Sequence, residues 1–311
     1  MSSKSWLPWA ALGVVYVVWG STYLAMRFMV ESMPPLFANG FRFILAGVLL
    51  ATIVALVSGV AALRMTWPQV GTAVLVGILL PAWGTGLIVL AASHVASGLT
   101  ALLIACVPLY VVVLRRLFGD RPAKVTYIAV GVGLVGLVVL LLGGPVEGAH
   151  GSSWFGPWLV LLGALGWAVG SVLSTRLPVP ANPFTLSAIE MLAGGVVLCV
   201  VGLGAGEKID IGTFTTGSWV AWFYLLTFGS VLAFSSYVFI LGRLPVSTVA
   251  TYAYVNPVIA VFLGYLLANE RFGVAQLIGG VIVLAAVVLV VRSEQRPKQV
   301  AVAPEPVEAI R

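Results

Sequence analysis

Apolar residues in this chain gather in runs of about twenty, and polar residues are confined to the joints between them. A helix needs about 20 apolar residues to cross the hydrocarbon core of a bilayer. Runs of that length, bounded by charges, prolines or Gly/Ser clusters, fall near 9–27, 35–57, 69–92, 96–117, 125–143, 154–175, 183–204, 218–241, 246–267 and 273–292. The pattern predicts ten membrane-spanning helices. The widest joints are GPVEGAHGSS (144–153) and GEKIDIGTFTTG (206–217), so no soluble domain has room. The tail SEQRPKQVAVAPEPVEAIR (293–311) is polar and proline-bearing, which predicts disorder.

Composition agrees, and charge adds an orientation. The 311 residues are 61% hydrophobic and 8% charged, against about 25% charged in soluble domains. The net charge of +6 comes from scattered basic residues, which reads as membrane topology and not as a nucleic-acid surface. With the N-terminus in the cytoplasm, the inside holds Lys4, Arg64, Arg115, Arg116, Arg121, Lys124, Arg176, Arg243, Arg292, Arg296, Lys298 and Arg311. The outside then holds only Arg27, Lys208 and Arg271. Cytoplasmic loops carry the excess of Lys and Arg, so both termini are expected inside, in a cell (inner) membrane. Trp9–Met26 exceeds the usual signal-peptide core of about 7–15 residues, and no small-residue cleavage site follows it, so it reads as a span. Cys106 and Cys199 lie within apolar runs without metal-site or disulfide spacing.

The chain also repeats itself. A shift of 148 lays Trp19 on Trp167, Pro35 on Pro183, Gly47 on Gly195, Leu50 on Leu198 and Arg42 on Glu190. A shift of 149 lays Pro108 on Pro257 and Gly131 on Gly280. Each half holds five spans, and five is odd, so the second copy enters the bilayer from the opposite side. Inverted repeats are a common plan of secondary transporters, with the substrate site near the midplane between them.

These residues resemble the drug/metabolite transporter superfamily, and within it the ten-span, two-domain EamA-type permeases. The resemblance is carried by WGSTYLAMRF in span 1, FRFILAGVLL in span 2 and YVNPVIAVFLGYLLANERF from span 9 towards span 10, with a fainter copy of the last in CVPLYVVVLRRLFGDRP. It covers roughly residues 10–292, although LPVPANPF before span 7 is shorter and richer in proline than the family pattern. It implies an all-α membrane protein in which ten helices form two inverted five-helix repeats around a central cavity. The expected organisation is a first repeat over 1–143, a linker over 144–153, a second repeat over 154–292 and a cytoplasmic tail over 293–311. The resemblance further implies export of small metabolites, in some relatives amino acids, including aromatic ones.

Arg42 and Glu190 are the first candidates, because an ionisable group within a span is costly and usually functional. Each sits about 10 Å from its own membrane surface, and inversion separates them by about 10 Å in depth, so a direct salt bridge is not expected. One reading makes them charges at opposite mouths of a cavity, with Glu190 coupling protons. The structural alternative pairs them with backbone carbonyls and water, or lets them snorkel to the interface.

Pro108 and Pro257 interrupt spans at the duplicated position and each free a carbonyl four residues back. Such a group is tolerated in a membrane beside protein or a wet cavity. Tyr252, Tyr254 and Asn256 surround the second proline. They suggest a cavity-lining kink, with a packing kink as the alternative. Trp19, Ser21 and Tyr23 in span 1 and Trp167 in span 6 are further candidates, and so are Trp83, Tyr110 and Tyr237, whose polar tips lie deep in spans and need partners. The small-residue ladder Gly163, Gly166 and Gly170 reads as close helix packing. GVGLVG (131–136) lies inside a span with no preceding strand, so a dinucleotide site fails on context.

There is no Walker A loop, HExxH or nucleophile elbow, and His94 and His150 stand alone. The chain therefore reads as a carrier without enzyme, metal or cofactor chemistry. Its expected partners are a small-molecule substrate, the lipid bilayer and protons as a coupling ion, not nucleic acid. The leading expectation is an alternating-access exporter of small amphipathic metabolites, foremost amino acids. Other metabolites, drugs, or a passive channel or facilitator are the alternatives.

Overall fold

Among the described residues, ten long apolar helices account for nearly all the regular structure. The structure, a computed structural model, describes residues 6–120, 122–143, 155–241, 243–244, 246–249 and 251–294. The expected linker and nearly all of the expected tail lie outside the described residues. The helices are α1 (Leu7–Met29), α2 (Pro35–Ser58), α3 (Trp67–Ala91), α4 (Ser97–Leu117), α5 (Lys124–Leu142), α6 (Gly156–Ser174), α7 (Pro183–Gly204), α8 (Thr216–Ile240), α9 (Tyr252–Ala268) and α10 (Val274–Glu294). Nine of them have the length and apolarity to cross a bilayer, and the 17-residue α9 is preceded by a single turn, Val246–Val249.

Their ends follow local chemistry. Proline stands in the first two positions of α1, α2, α3, α6 and α7, where its missing N–H costs nothing and its fixed φ suits the helix. Thr66 and Gln69 form a reciprocal capping box at α3. Asn182 and Thr215 cap α7 and α8 through their side chains. The cap of α2 arrives from elsewhere: Glu207, beyond the end of α7, accepts from the N–H groups of Leu36 and Phe37 at 2.9 and 2.7 Å.

The packing repeats with the sequence. α2 runs along α7, and α5 along α10. α1 packs against α8 and α9, while its counterpart α6 packs against α3 and α4. Each first helix therefore lies on the third and fourth helices of the other copy, in the same pattern, as expected of an inverted duplication. α2 and α7 are antiparallel, since Gly40 faces Gly195 and Cys199 while Gly47 faces Ala188 and Leu192. A Cβ on either Gly40 or Gly195 would stand 2.7 Å from the carbonyl oxygen of the other. Only glycine permits so close an approach, which is how helices without a hydrophobic drive between them gain contact in lipid.

Two irregularities are duplicated as well. α3 is π-helical over Ile78–Thr85 and α8 over Leu225–Leu232, positions that the repeat shift nearly superimposes. Such stretches are rare and concentrate at functional sites. Pro81 lies inside the first. The two prolines expected to kink their spans differ. Pro257 lies within the continuous α9. Pro108, in contrast, begins a second helical segment (Val107–Leu117) after α4 breaks at Ala105–Cys106. There it occupies a first-turn position, where no intrahelical bond is lost.

Candidate functional site

Arg42 is 3% exposed, and a chain of polar contacts runs through it. Its Nη2 donates to Asn39 Oδ1 at 2.6 Å, and Asn39 Nδ2 donates to Thr85 Oγ1 at 3.2 Å. Its Nη1 lies 3.4 Å from both the Leu225 carbonyl oxygen and Ser230 Oγ. The guanidinium also sits 4.3 Å from the centre of the Phe43 ring. Thr85 closes the π-helical stretch of α3, while Leu225 and Ser230 belong to that of α8. Arg42 thus links the two irregular segments. Its Nε has no partner, and among the described residues no carboxylate pairs with it.

Glu190 is half-buried on α7, with its backbone against α3. A Cβ on Gly77 would meet its carbonyl oxygen at 2.5 Å. The repeat shift carries Gly77 onto Leu225 and Glu190 onto Arg42. The same inter-helix contact therefore occurs twice, as backbone against glycine in one place and as guanidinium to carbonyl in the other.

Beside Arg42 lies a group of aromatic rings. Trp19 is 5.2 Å from Tyr237 and 5.3 Å from Tyr252, and those two tyrosines are 5.6 Å apart. Tilted and edge-on contacts hold the three rings, drawn from α1, α8 and α9, in one cluster. Trp19 Nε1 donates to the carbonyl of Gly229, 3.3 Å away in the π-helical stretch. A Cβ on Gly229 would approach Thr22 at 3.3 Å and Arg42 Nη1 at 3.9 Å, so cluster and guanidinium are contiguous. Tyr23 lies one turn beyond Trp19 on the same face. Asn256 is 6% exposed. With its amide oriented by its hydrogen-bond partners, it donates to the carbonyls of Tyr252 and Tyr16 at 3.2 and 3.3 Å. The hydroxyls of Tyr16 and Thr251 bond to each other across the same helices.

Other candidates lie apart. Trp167 mirrors Trp19 by packing on α3, where a Cβ on Gly84 would approach its ring at 3.2 Å. Ser21 points to the opposite side of α1 and bonds Tyr224 at 2.6 Å, beside an apolar groove of about 600 Å³ between α1, α8 and α9. Trp83 is 51% exposed and donates to the Leu162 carbonyl at 2.9 Å. Its ring lies against Gly166, the middle residue of the predicted glycine ladder. Tyr110 and Tyr254 pack on the apolar core shared by α4, α5, α6 and α10.

The residues missed by the sequence reading stand at the helix ends. Arg27, counted as an outer-loop charge, is 6% exposed in the last turn of α1. Its Nη1 lies 2.6 Å from Glu270 Oε1. Glu270 is fully buried and is thus a second carboxylate within the bundle besides Glu190. It also accepts from Ser97 N (2.7 Å), Ser97 Oγ (2.9 Å) and Gly98 N (3.1 Å), so it caps α4. The turn is built for this. Asn269 takes the left-handed conformation (φ 52°), and the Glu270 N–H returns to the Gly264 carbonyl at 3.1 Å. A side chain at Gly264 would run into the carboxylate.

At the other end, Asp120 accepts from Arg115 Nε at 2.9 Å and pairs with Arg176 Nη2 at 3.1 Å. The Arg115 hydrogen bond, joined by the charges of Arg176 and Arg115, holds its carboxyl below the usual aspartate range. Laying the two copies' end charges over one another would have found both pairs: Arg176 follows Arg27 by 149 positions, and Glu270 follows Asp120 by 150.

An inverted pair of five-helix copies with polar groups buried between them defines a multi-span membrane transporter. The model of the EamA-like transporter family matches residues 4–142 and 154–292, and the chain belongs to that family. It is 38% identical over 307 residues to the "Uncharacterized inner membrane transporter YedA" of Escherichia coli (strain K12), covering 98% of this chain and 97% of that one. It is 26% identical over 297 residues to the "WAT1-related protein At3g02690, chloroplastic" of Arabidopsis thaliana, covering 92% and 70%. A solved crystal structure, 20% identical and covering 90% of this chain and 94% of that one, superimposes with a TM-score of 0.61, which shows a shared fold.

Proposed function

We propose that this protein is a secondary transporter that exports small amphipathic metabolites by alternating access, amino acids foremost and aromatic ones prominent among them. The observation that carries the reading is the Trp19, Tyr237 and Tyr252 cluster adjoining Arg42 between the two copies. Aromatic walls with a few fixed polar groups suit an apolar side chain on a polar head. Arg42 supplies donors for a carboxylate, Asn256 ties the backbones of α1 and α9 beside it, and Glu190 offers a counter-charge for an ammonium group. A phosphorylated substrate would call for several arginines or lysines, and Arg42 has no basic neighbour in its network. The sequence offers no ATPase motif, so an ion gradient supplies the energy, with Glu190 the carboxylate that couples protons. By analogy with the E. coli relative's name, the protein is assigned to the inner membrane, and the distribution of Lys and Arg favours both termini in the cytoplasm.

The test is uptake and counterflow in proteoliposomes with labelled amino acids, with and without a pH gradient. Saturable transport of aromatic amino acids, accelerated by unlabelled substrate on the far side, is the expected result. Flux without such acceleration indicates a channel, and flux of unrelated metabolites alone would replace the substrate class.

A further inference from the structure

We propose that Arg27–Glu270 and Arg176–Asp120 are the two latches of one alternating gate, and that the structure holds the first one shut. The pairs occupy equivalent positions in the inverted copies, at opposite ends of the bundle. Each joins the two copies: Arg27 on α1 meets Glu270 after α9, and Arg176 after α6 meets Asp120 after α4. A contact that ties the halves together at one end must break when they rock apart there, and must form when they close.

The two pairs are built alike and both are made, but they differ in burial. The Arg27 and Glu270 side chains are 7% and 0% exposed, while those of Arg176 and Asp120 are 33% and 36% exposed. Glu270 is also fixed by three donors at the start of α4. Removing Arg27 would leave a charge away from water, so this end resists opening. The Arg176–Asp120 pair is screened by solvent and weak. Arg176 also lies 4.9 Å from the Phe118 ring, a further surface contact that keeps the second latch in register and that closure at this end would bury. The inference rests on the alternating-access part of the proposed function and is independent of the substrate.

The test measures distances in the full chain in liposomes, with Cys106 and Cys199 replaced by alanine and spin labels on exposed sites. One pair of labels, at Glu31 and Val274, spans the first latch, and another, at Leu117 and Val179, spans the second. Glu270→Gln should shift the first distribution to longer distances and the second to shorter ones. Arg27→Gln should do the same, and it leaves the Glu270 carboxylate its donors at Ser97 and Gly98, so it serves if Glu270→Gln does not fold. Asp120→Asn should leave the first distribution unchanged. Folded variants with both distributions fixed, or a change at the first latch without the opposite change at the second, overturn the proposal. The readout needs no substrate. A chain that carries no amino acid but shows the reciprocal shifts refutes the substrate assignment and keeps the latches.

Discussion

Arg42 and Glu190 hold the same place in the two copies, yet they lie about five residues apart in register along antiparallel α2 and α7, or about 7 Å at 1.5 Å per residue. No ion pair joins them. Arg42 instead spends its hydrogen bonds on neutral oxygens from α2 and α8. A charge with that environment holds helices in place, and the proposed function adds an anion to its partners. Arg42→Met should keep the volume, strand the Asn39 oxygen while Ser230 still donates to the Leu225 carbonyl, and lower stability by roughly 1–3 kcal/mol. Thermal unfolding in detergent checks the stability, and proteoliposome flux should fall with it. An unchanged melting temperature with normal flux would show that the network carries no weight.

Glu190 is the carboxylate proposed to couple protons, and its variant has a distinct signature. Glu190→Gln should abolish the response to a pH gradient while counterflow persists, with a raised apparent Kd from the lost counter-charge. Asp120 does not confuse this test. Its native carboxyl is held below the ordinary value of about 3.9, so its contribution to stability is present above that pH and is lost only as pH falls through the lower native value. Any pH dependence between about 5 and 8 must arise elsewhere. A Glu190→Gln protein with the wild-type pH response would remove the coupling role.

The aromatic cluster predicts a graded loss of affinity. Ring pairs of this geometry contribute about 0.5–1.5 kcal/mol beyond burial, so Trp19→Ala should raise the apparent Kd for an aromatic amino acid by roughly 2- to 10-fold. Trp83→Ala, whose ring packs on α6, should leave that Kd unchanged. Competition binding on purified protein separates the two. Equal effects from both variants would mean that packing, and not recognition, is being measured.

The ten spans, the inverted duplication and the charges within spans were legible because each is written in one-dimensional periodicity or in a fixed shift. The break at Ala105–Cys106 was less so. A proline in mid-run signals an interruption, but whether it sits inside a helix or starts a new one depends on a turn that hydropathy does not encode. The π-helical stretches at Ile78–Thr85 and Leu225–Leu232 leave no compositional mark. The burial of Glu270 escaped notice because a polar ANER segment reads as a solvated loop. Only the fold-back at Asn269 shows that the chain returns the carboxylate to the start of α4.

The proposed orientation rests on twelve Lys and Arg on the side assigned to the cytoplasm against three on the other. A phosphatase fused after Arg311 should be inactive and a fluorescent protein there bright, as expected for a cytoplasmic end. Active phosphatase at that position would reverse the membrane sides of both latches, though not their relation to each other.

Gly264 offers a test of how tightly the buried carboxylate is fitted. An added methyl would collide with the Glu270 carboxylate and stand 3.1 Å from Ser97 Oγ, both of them fixed atoms in a satisfied network. Gly264→Ala should therefore cost roughly 1–3 kcal/mol through overpacking. Gly13 lies in a helix with nothing within 4 Å of an added Cβ, so Gly13→Ala should be neutral or stabilise by about 0.5–1 kcal/mol through reduced backbone entropy. Melting curves of the two variants side by side check the contrast. A Gly264→Ala protein as stable as Gly13→Ala would mean that the turn at Asn269 relaxes freely and that Glu270 is not held as tightly as its four contacts indicate.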